Sequence, residues 1–146
     1  MQTVTVSASS AYPVYIGGGL LEKAGELVAA SASSRTCAVV TDTTVGPLYA
    51  AQVCRSLQDA GITVRFYAFP AGERNKNLGT YGAILEFLAE NKLTRSDFLV
   101  ALGGGVVGDM AGFAAATYQR GIGYIQMPTT FLAASDSSVG GKTAID

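Results

Sequence analysis

Between residues 36 and 128 the sequence alternates short, largely apolar runs with longer segments of helical spacing, and this alternation constrains the fold more than any other feature. "TCAVVTD" (36–42), "ITVRFYAFP" (62–70), "DFLVAL" (97–102) and "GYIQMP" (123–128) read as strands. Between them lie "PLYAAQVCRSLQDAG" (47–61), with Pro47 near its start and Gly61 at its end, "NLGTYGAILEFLAENK" (77–92) and "VVGDMAGFAAATYQ" (106–119). The middle helix is amphipathic, with Leu78, Tyr81, Ile84, Leu85 and Leu88 on the predicted core face. A strand covered on both faces is apolar throughout, and parallel neighbours need a crossover that a helix supplies. The prediction is an α/β domain with a mostly parallel sheet and helices on both faces. Ahead of it, "QTVTVS" (2–7) and "YPVYIG" (12–17) predict an N-terminal β-hairpin, and "LLEKAGELVAAS" (20–31) a helix.

A chain of 146 residues is one ordinary domain with room for a substantial core. The net charge of -1, with no run of Lys or Arg, gives no footprint for nucleic acid, and no basic amphipathic stretch suits a membrane surface. Neither a signal peptide nor a membrane span is legible, which predicts a cytoplasmic protein with small-molecule partners. Cys37 and Cys54 are too few for a disulfide framework and read as core-packing thiols. The chain is greasy for its size, 49% apolar and only 14% charged, so part of its surface is expected to be covered.

In open α/β sheets ligands bind beyond the carboxyl ends of the strands. Four loops leave those ends here: "TDTT" (41–44), "PAGERNKN" (70–77), "GGGVVGD" (103–109) and "PTTFLAASDSSVGGKT" (128–143). Gly103, Gly105 and Gly108 satisfy G-x-G-x-x-G between a strand and a helix, where glycine permits a sharp turn and lets a pyrophosphate approach the helix N-terminus; close helix-sheet packing is the plain structural reading of the same glycines. The motif lies late in the chain and no acidic residue ends a strand about 20 positions on, which disfavours an ordinary Rossmann dehydrogenase. The other loops offer what a nucleotide or a sugar phosphate needs. Asp42 and Glu73 can accept from ribose hydroxyls, Lys76 and Lys142 can meet anions, and Thr129, Thr130, Ser137 and Ser138 are short hydroxyl donors. Singly, each is equally consistent with a plain structural role: Asp42 and Thr129 as helix caps, Lys76 as a solvated charge, Gly140-Gly141 as a turn. Their convergence on one sheet edge favours a binding site.

The run "GGGVVGDMAGFAAATYQRGIGYIQMPTTFLAASDSSVGGKTAID", with "DTTV" and "PAGERNKN" upstream of it in order, resembles the 3-dehydroquinate synthase family of sugar-phosphate cyclases. The resemblance implies a Rossmann-like fold and an NAD site. Asp42, Thr44, Glu73 and Lys76 would hold the adenosine half, Gly104, Gly105 and Val106 the pyrophosphate, and Asp109, Thr129, Thr130 and Leu132 would line the path toward the nicotinamide. Asp136 and Lys142 would face the substrate with Ser137 beside them at the cofactor. Arg120 would reach the substrate phosphate in the neighbouring subunit of a homodimer, a role that suits a guanidinium fork, with a structural ion pair as the competing reading.

The reaction implied converts 3-deoxy-D-arabino-heptulosonate 7-phosphate, a phosphorylated sugar acid, to 3-dehydroquinate and phosphate in the shikimate pathway. In the family NAD is regenerated within each turnover, and a divalent metal, zinc, polarises the reacting oxygens. Related cyclases such as 2-deoxy-scyllo-inosose synthase, and a non-catalytic nucleotide-binding module, are the alternatives. The family holds its metal through a glutamate and two histidines, and this chain contains no histidine. The implied organisation is an N-terminal NAD-binding domain over residues 1–146, with the helical metal-binding domain outside this chain. By itself the chain is expected to be inactive and to retain weak NAD binding.

Overall fold

The computed structural model describes residues 1–145. Strands β1 (Gln2–Ser7) and β2 (Ala11–Ile16) pair antiparallel as a separate two-stranded sheet. The rest runs α1 (Ala24–Ser31), β3 (Thr36–Asp42), α2 (Ala51–Asp59), β4 (Thr63–Phe69), α3 (Leu78–Glu90), β5 (Phe98–Gly103), α4 (Gly105–Thr117) and β6 (Gly123–Pro128). The four later strands form one parallel sheet in the order β4-β3-β5-β6. The expected fold class is therefore the observed one, hairpin included.

Helices cover both faces because each central strand is apolar on both. Cys37 and Val39 pack with Val28, Val53 and Leu57 from α1 and α2. Ala38 and Val40 pack with Ile84, Leu88, Met110 and Ala114 from α3 and α4. β5 is buried along its whole length. The two thiols sit in the α1/α2 layer, Cys37 buried and Cys54 half-buried. Burial pushes the Cys37 thiol up to about 12 and raises that of Cys54 as well, so both stay protonated and inert.

Three local expectations need correction. The segment from Leu20 opens as a tight 3-10 turn, Leu20–Lys23, before α1 begins. The Pro47 segment opens as a wide turn over Gly46–Ala50, where the Leu48 and Tyr49 amides share the Val45 carbonyl. Leu78 is 67% exposed although Ile84 and Leu88 are fully buried. It is the first residue of α3, directly after the Asn77 side chain that caps the Thr80 amide.

The order in which strands are added across the sheet reverses between β3 and β5. β3 leads into α2 on one face, β5 into α4 on the other, so the loops part and leave a crevice at their carboxyl ends. The pairing record marks it: β3 pairs with β4 as far as Asp42↔Phe69 and β5 with β6 as far as Gly103↔Pro128, but β3 and β5 stop at Val40↔Ala101.

Candidate functional site

All four loops singled out in the sequence leave carboxyl ends of parallel strands and so lie on one edge. At its centre Gly103 closes β5 and Gly104 starts α4, whose first turn has no side-chain cap. The first bond of the new helix runs from the Gly108 amide to the Gly104 carbonyl at 3.1 Å, leaving the amides of Gly105, Val106 and Val107 directed beyond the helix start.

The sharp-turn reason for these glycines does not hold, because none of Gly103, Gly104, Gly105 or Gly108 has a positive φ. Close approach holds instead. A Cβ on Gly104 would stand 3.3 Å from Thr130 Cγ2, one on Gly105 3.3 Å from Ser137 Oγ, and one on Gly108 3.3 Å from Gln126 Oε1. The loop is glycine-rich so that the segment after β6 can lie against it.

Around this cradle the implied residues gather in separate clusters. Lys76 Nζ lies 2.8 Å from Asp109 Oδ2 and 3.8 Å from Glu73 Oε1; the Lys76 and Asp109 side chains are only 13% and 16% exposed. Lys76 is thus not a solvated surface charge, and the "PAGERNKN" loop is tied to the first turns of α4. Asp42 does cap: its Oδ1 accepts from the amides of Thr44 and Val45 at 2.9 and 2.7 Å. Only one of its oxygens is used this way, so the other is open to a ligand. Thr129 is not a cap, since that role falls to Thr130, whose Oγ1 accepts from the Ala133 amide at 3.1 Å. The Thr129 amide donates to the Gly103 carbonyl at 3.0 Å, and its Oγ1 is buried with no hydrogen-bond partner among the described residues.

Asp136 and Lys142 meet each other, Nζ to Oδ1 at 2.7 Å, with both side chains more than half exposed. Gly140 and Gly141, both at positive φ, turn the chain to bring Lys142 back. Phe131, Leu132 and Val139 on the same segment are exposed, the uncovered apolar surface that the composition leads one to expect. Arg120 does not join this edge. It lies between α4 and β6, at the amino end of the sheet, exposed and at φ 64 beside Gln119 at φ 52.

Sequence reasoning missed three residues that shape the site. Thr41 is fully buried and its hydroxyl donates to the Leu102 carbonyl at 2.7 Å. Tyr124 donates to the Gly108 carbonyl at 2.6 Å, and burial, with the Asp109 carboxylate nearby, raises its pKa so that it stays a donor. Gln126 Nε2 donates to the Ser138 carbonyl at 3.1 Å, pinning the segment that carries Ser137. Tyr124 and Gln126 are polar groups at i and i+2 of "GYIQMP"; period-2 reading places both on the side of β6 facing α4. Among the described residues no group of three or more Cys, Asp and Glu gathers as a metal site. No described helix is long and apolar enough to cross a membrane.

A doubly wound parallel sheet with a glycine-rich, uncapped helix start at its switch point defines a Rossmann-like α/β domain of the nucleotide-binding kind. Residues 66–146 match the family described as 3-dehydroquinate synthase N-terminal. A 3-dehydroquinate synthase from Enterococcus faecalis is 51% identical over 144 residues, covering 99% of this chain and 40% of its own length. The chain belongs to the 3-dehydroquinate synthase family and spans about 40% of the length of the curated relatives it matches.

Solved structures agree on the fold. A 2-deoxy-scyllo-inosose synthase complexed with carbaglucose-6-phosphate, NAD+ and Co2+ superposes with a TM-score of 0.89 at 29% identity, over 99% of this chain and 40% of that one. A 2-epi-5-epi-valiolone synthase from Streptomyces hygroscopicus subsp. jinggangensis 5008, with NAD+ and Zn2+ bound, gives 0.82 at 26%, over 98% and 39%.

Proposed function

We propose that this chain is the NAD-binding part of a 3-dehydroquinate synthase, which acts on 3-deoxy-D-arabino-heptulosonate 7-phosphate. The observation that carries the reading is the uncapped start of α4 at the switch point, beside a buried Thr129 hydroxyl without a partner. Amides at a helix start want an anion, and a buried hydroxyl without a partner wants a ligand. A dinucleotide pyrophosphate supplies the first and its attached groups the second, so the residues present fit NAD. The alternative cyclase, 2-deoxy-scyllo-inosose synthase, is less favoured, because that comparison reaches 29% identity against 51% for a 3-dehydroquinate synthase.

When bound, NAD supplies a reversible hydride acceptor. The chain's own residues then have distinct tasks. The amides after Gly104 receive the pyrophosphate, and the unused Asp42 oxygen accepts a ribose hydroxyl at the adenosine end, with Thr44 and Glu73 beside it. Lys76 and Asp109 form the floor of the crevice. Thr129, Thr130 and Leu132 border the path to the reacting end, where Ser137, Asp136 and Lys142 face the substrate. Arg120, on the opposite edge, would serve the substrate phosphate of a neighbouring subunit in a homodimer. The metal lies outside this assignment, because the chain offers no histidine and no described carboxylate cluster to hold it.

The decisive test fills the cradle. Gly104→Ala adds a Cβ 3.3 Å from Thr130 at a φ of -77 that alanine adopts freely. NAD affinity measured by calorimetry is expected to fall about tenfold or more, with stability changed by less than about 1 kcal/mol. Unchanged NAD affinity would remove the glycine loop from the binding site. In the full-length protein, failure to release phosphate from the heptulosonate phosphate, with release from another sugar phosphate, would reassign the substrate to a related cyclase.

A further inference from the structure

Thr41 is the buried polar residue that the functional reading leaves unexplained. The strand "TCAVVTD" packs on both faces, and at a fully buried position valine would give the same shape without desolvating a hydroxyl. The hydroxyl is kept satisfied by one bond, 2.7 Å to the Leu102 carbonyl, across 61 residues of sequence. Its place is distinctive. The β3–β5 ladder ends one residue earlier, at Val40↔Ala101, whereas the outer pairs run on to Asp42↔Phe69 and Gly103↔Pro128. Beyond the end of the regular ladder, the Thr41 side chain ties β3 to β5.

Both ends of that bond lead into the cradle. On one side, Thr41 precedes Asp42, and its Cγ2 lies against Gly46, where an added Cβ would approach to 3.3 Å. On the other, Leu102 precedes Gly103, whose carbonyl accepts from the Thr129 amide at 3.0 Å. A ligand touching Asp42 and the amides after Gly104 bridges the two strand ends, and this side-chain bond crosses the gap between them.

We propose that Thr41 is a positioning residue for the dinucleotide: its hydroxyl fixes the separation of the β3 and β5 carboxyl ends, so that one ligand meets the Asp42 carboxylate and the Gly105–Val107 amides together. The proposal rests on the NAD reading above. It assigns Thr41 no contact with the ligand.

The test compares Thr41→Val, which keeps the shape and loses the bond, with Thr41→Ser, which keeps the bond and loses the methyl group. NAD affinity is measured by calorimetry and thermal stability by melting, in the full-length protein. Thr41→Val is expected to weaken NAD binding about tenfold, the equivalent of one hydrogen bond. Thr41→Ser is expected to bind NAD within twofold of the unaltered protein, although the lost methyl lowers its melting temperature. A role in packing alone predicts the reverse, affinity following stability in both variants, and that result overturns the proposal. So does loss of NAD affinity in Thr41→Ser, which decides the matter even where Thr41→Val does not fold. Absence of NAD binding by the unaltered protein overturns the NAD reading itself and is thereby distinct from failure of the Thr41 role.

Discussion

Two lysine–aspartate pairs flank the glycine loop with almost the same bond length and opposite surroundings. Lys76–Asp109 closes at 2.8 Å with side chains 13% and 16% exposed; Lys142–Asp136 closes at 2.7 Å with side chains 59% and 63% exposed. Distance does not set their worth. A pair removed from water leaves a costly charge behind when one member is deleted, whereas an exposed pair gains little over its two hydrated halves. The first pair therefore ties the loop after β4 to α4. The second is a resting arrangement that a ligand can replace at little cost, which suits residues proposed to face a substrate.

The largest expected effect breaks the buried pair. Asp109→Ala should destabilise the protein by about 3 kcal/mol, seen as a lower urea midpoint with unchanged slope, and should weaken NAD binding. A loss below about 0.5 kcal/mol would place the two pairs in one class and end the contrast.

Next in size is an alkaline loss of stability that has to be assigned before either pair is read by pH. The folded-state pKa of the Cys37 thiol is raised to about 12 from a usual value of 9.0, and that of Cys54 is raised too. A group raised in the folded state stabilises fully below its unfolded value and loses that contribution as pH climbs to the folded one. Stability should therefore fall from about pH 9 toward 12, by on the order of 2 kcal/mol at pH 11, and Cys37→Ala should flatten that limb. A limb of equal slope in Cys37→Ala would assign the loss elsewhere.

Smaller still is the exposed pair. Asp136→Asn should change stability by less than about 0.5 kcal/mol while lowering turnover in the full-length enzyme, which separates a site role from a structural one. Smallest is the response to salt. Raising sodium chloride from 0.1 to 1 M shortens the screening length from about 10 to about 3 Å, so the double-mutant coupling of Lys142 with Asp136 should vanish while that of Lys76 with Asp109 persists.

The sequence announced the sheet because its periodicity is a backbone-level signal. "TCAVVTD" and "GYIQMP" became strands with those very bounds, and the parallel order then forced all four loops to one edge. What it could not announce were bonds between distant residues. Asp109 and Lys76 both stood out as charges, but their pairing depends on how the loop after β4 folds across α4. Thr41 looked like one more β-branched strand residue until the splay of β3 from β5 gave its hydroxyl a task. The glycines were legible as a motif, and close packing was one reading of them; the particular neighbours, Thr130, Ser137 and Gln126, are a fact of tertiary packing.

The joint at the far end of α4 has a mechanical consequence. Gln119 and Arg120 are both held in the left-handed region, the Ile122 amide bonds to the Ala115 carbonyl at 2.8 Å, and the buried Tyr118 hydroxyl bonds to the Leu93 carbonyl at 2.7 Å. Two consecutive non-glycine residues in that conformation persist only where their surroundings over-determine them. A helix of 13 residues thus behaves as a strut with one clamped end. With a rise of about 1.5 Å per residue, the clamp lies some 20 Å from the cradle. Any slip at Gln119–Arg120 would carry the Gly105–Val107 amides along the helix axis by the same amount, so tolerance at the joint would set the aim of the proposed anion site at the other end.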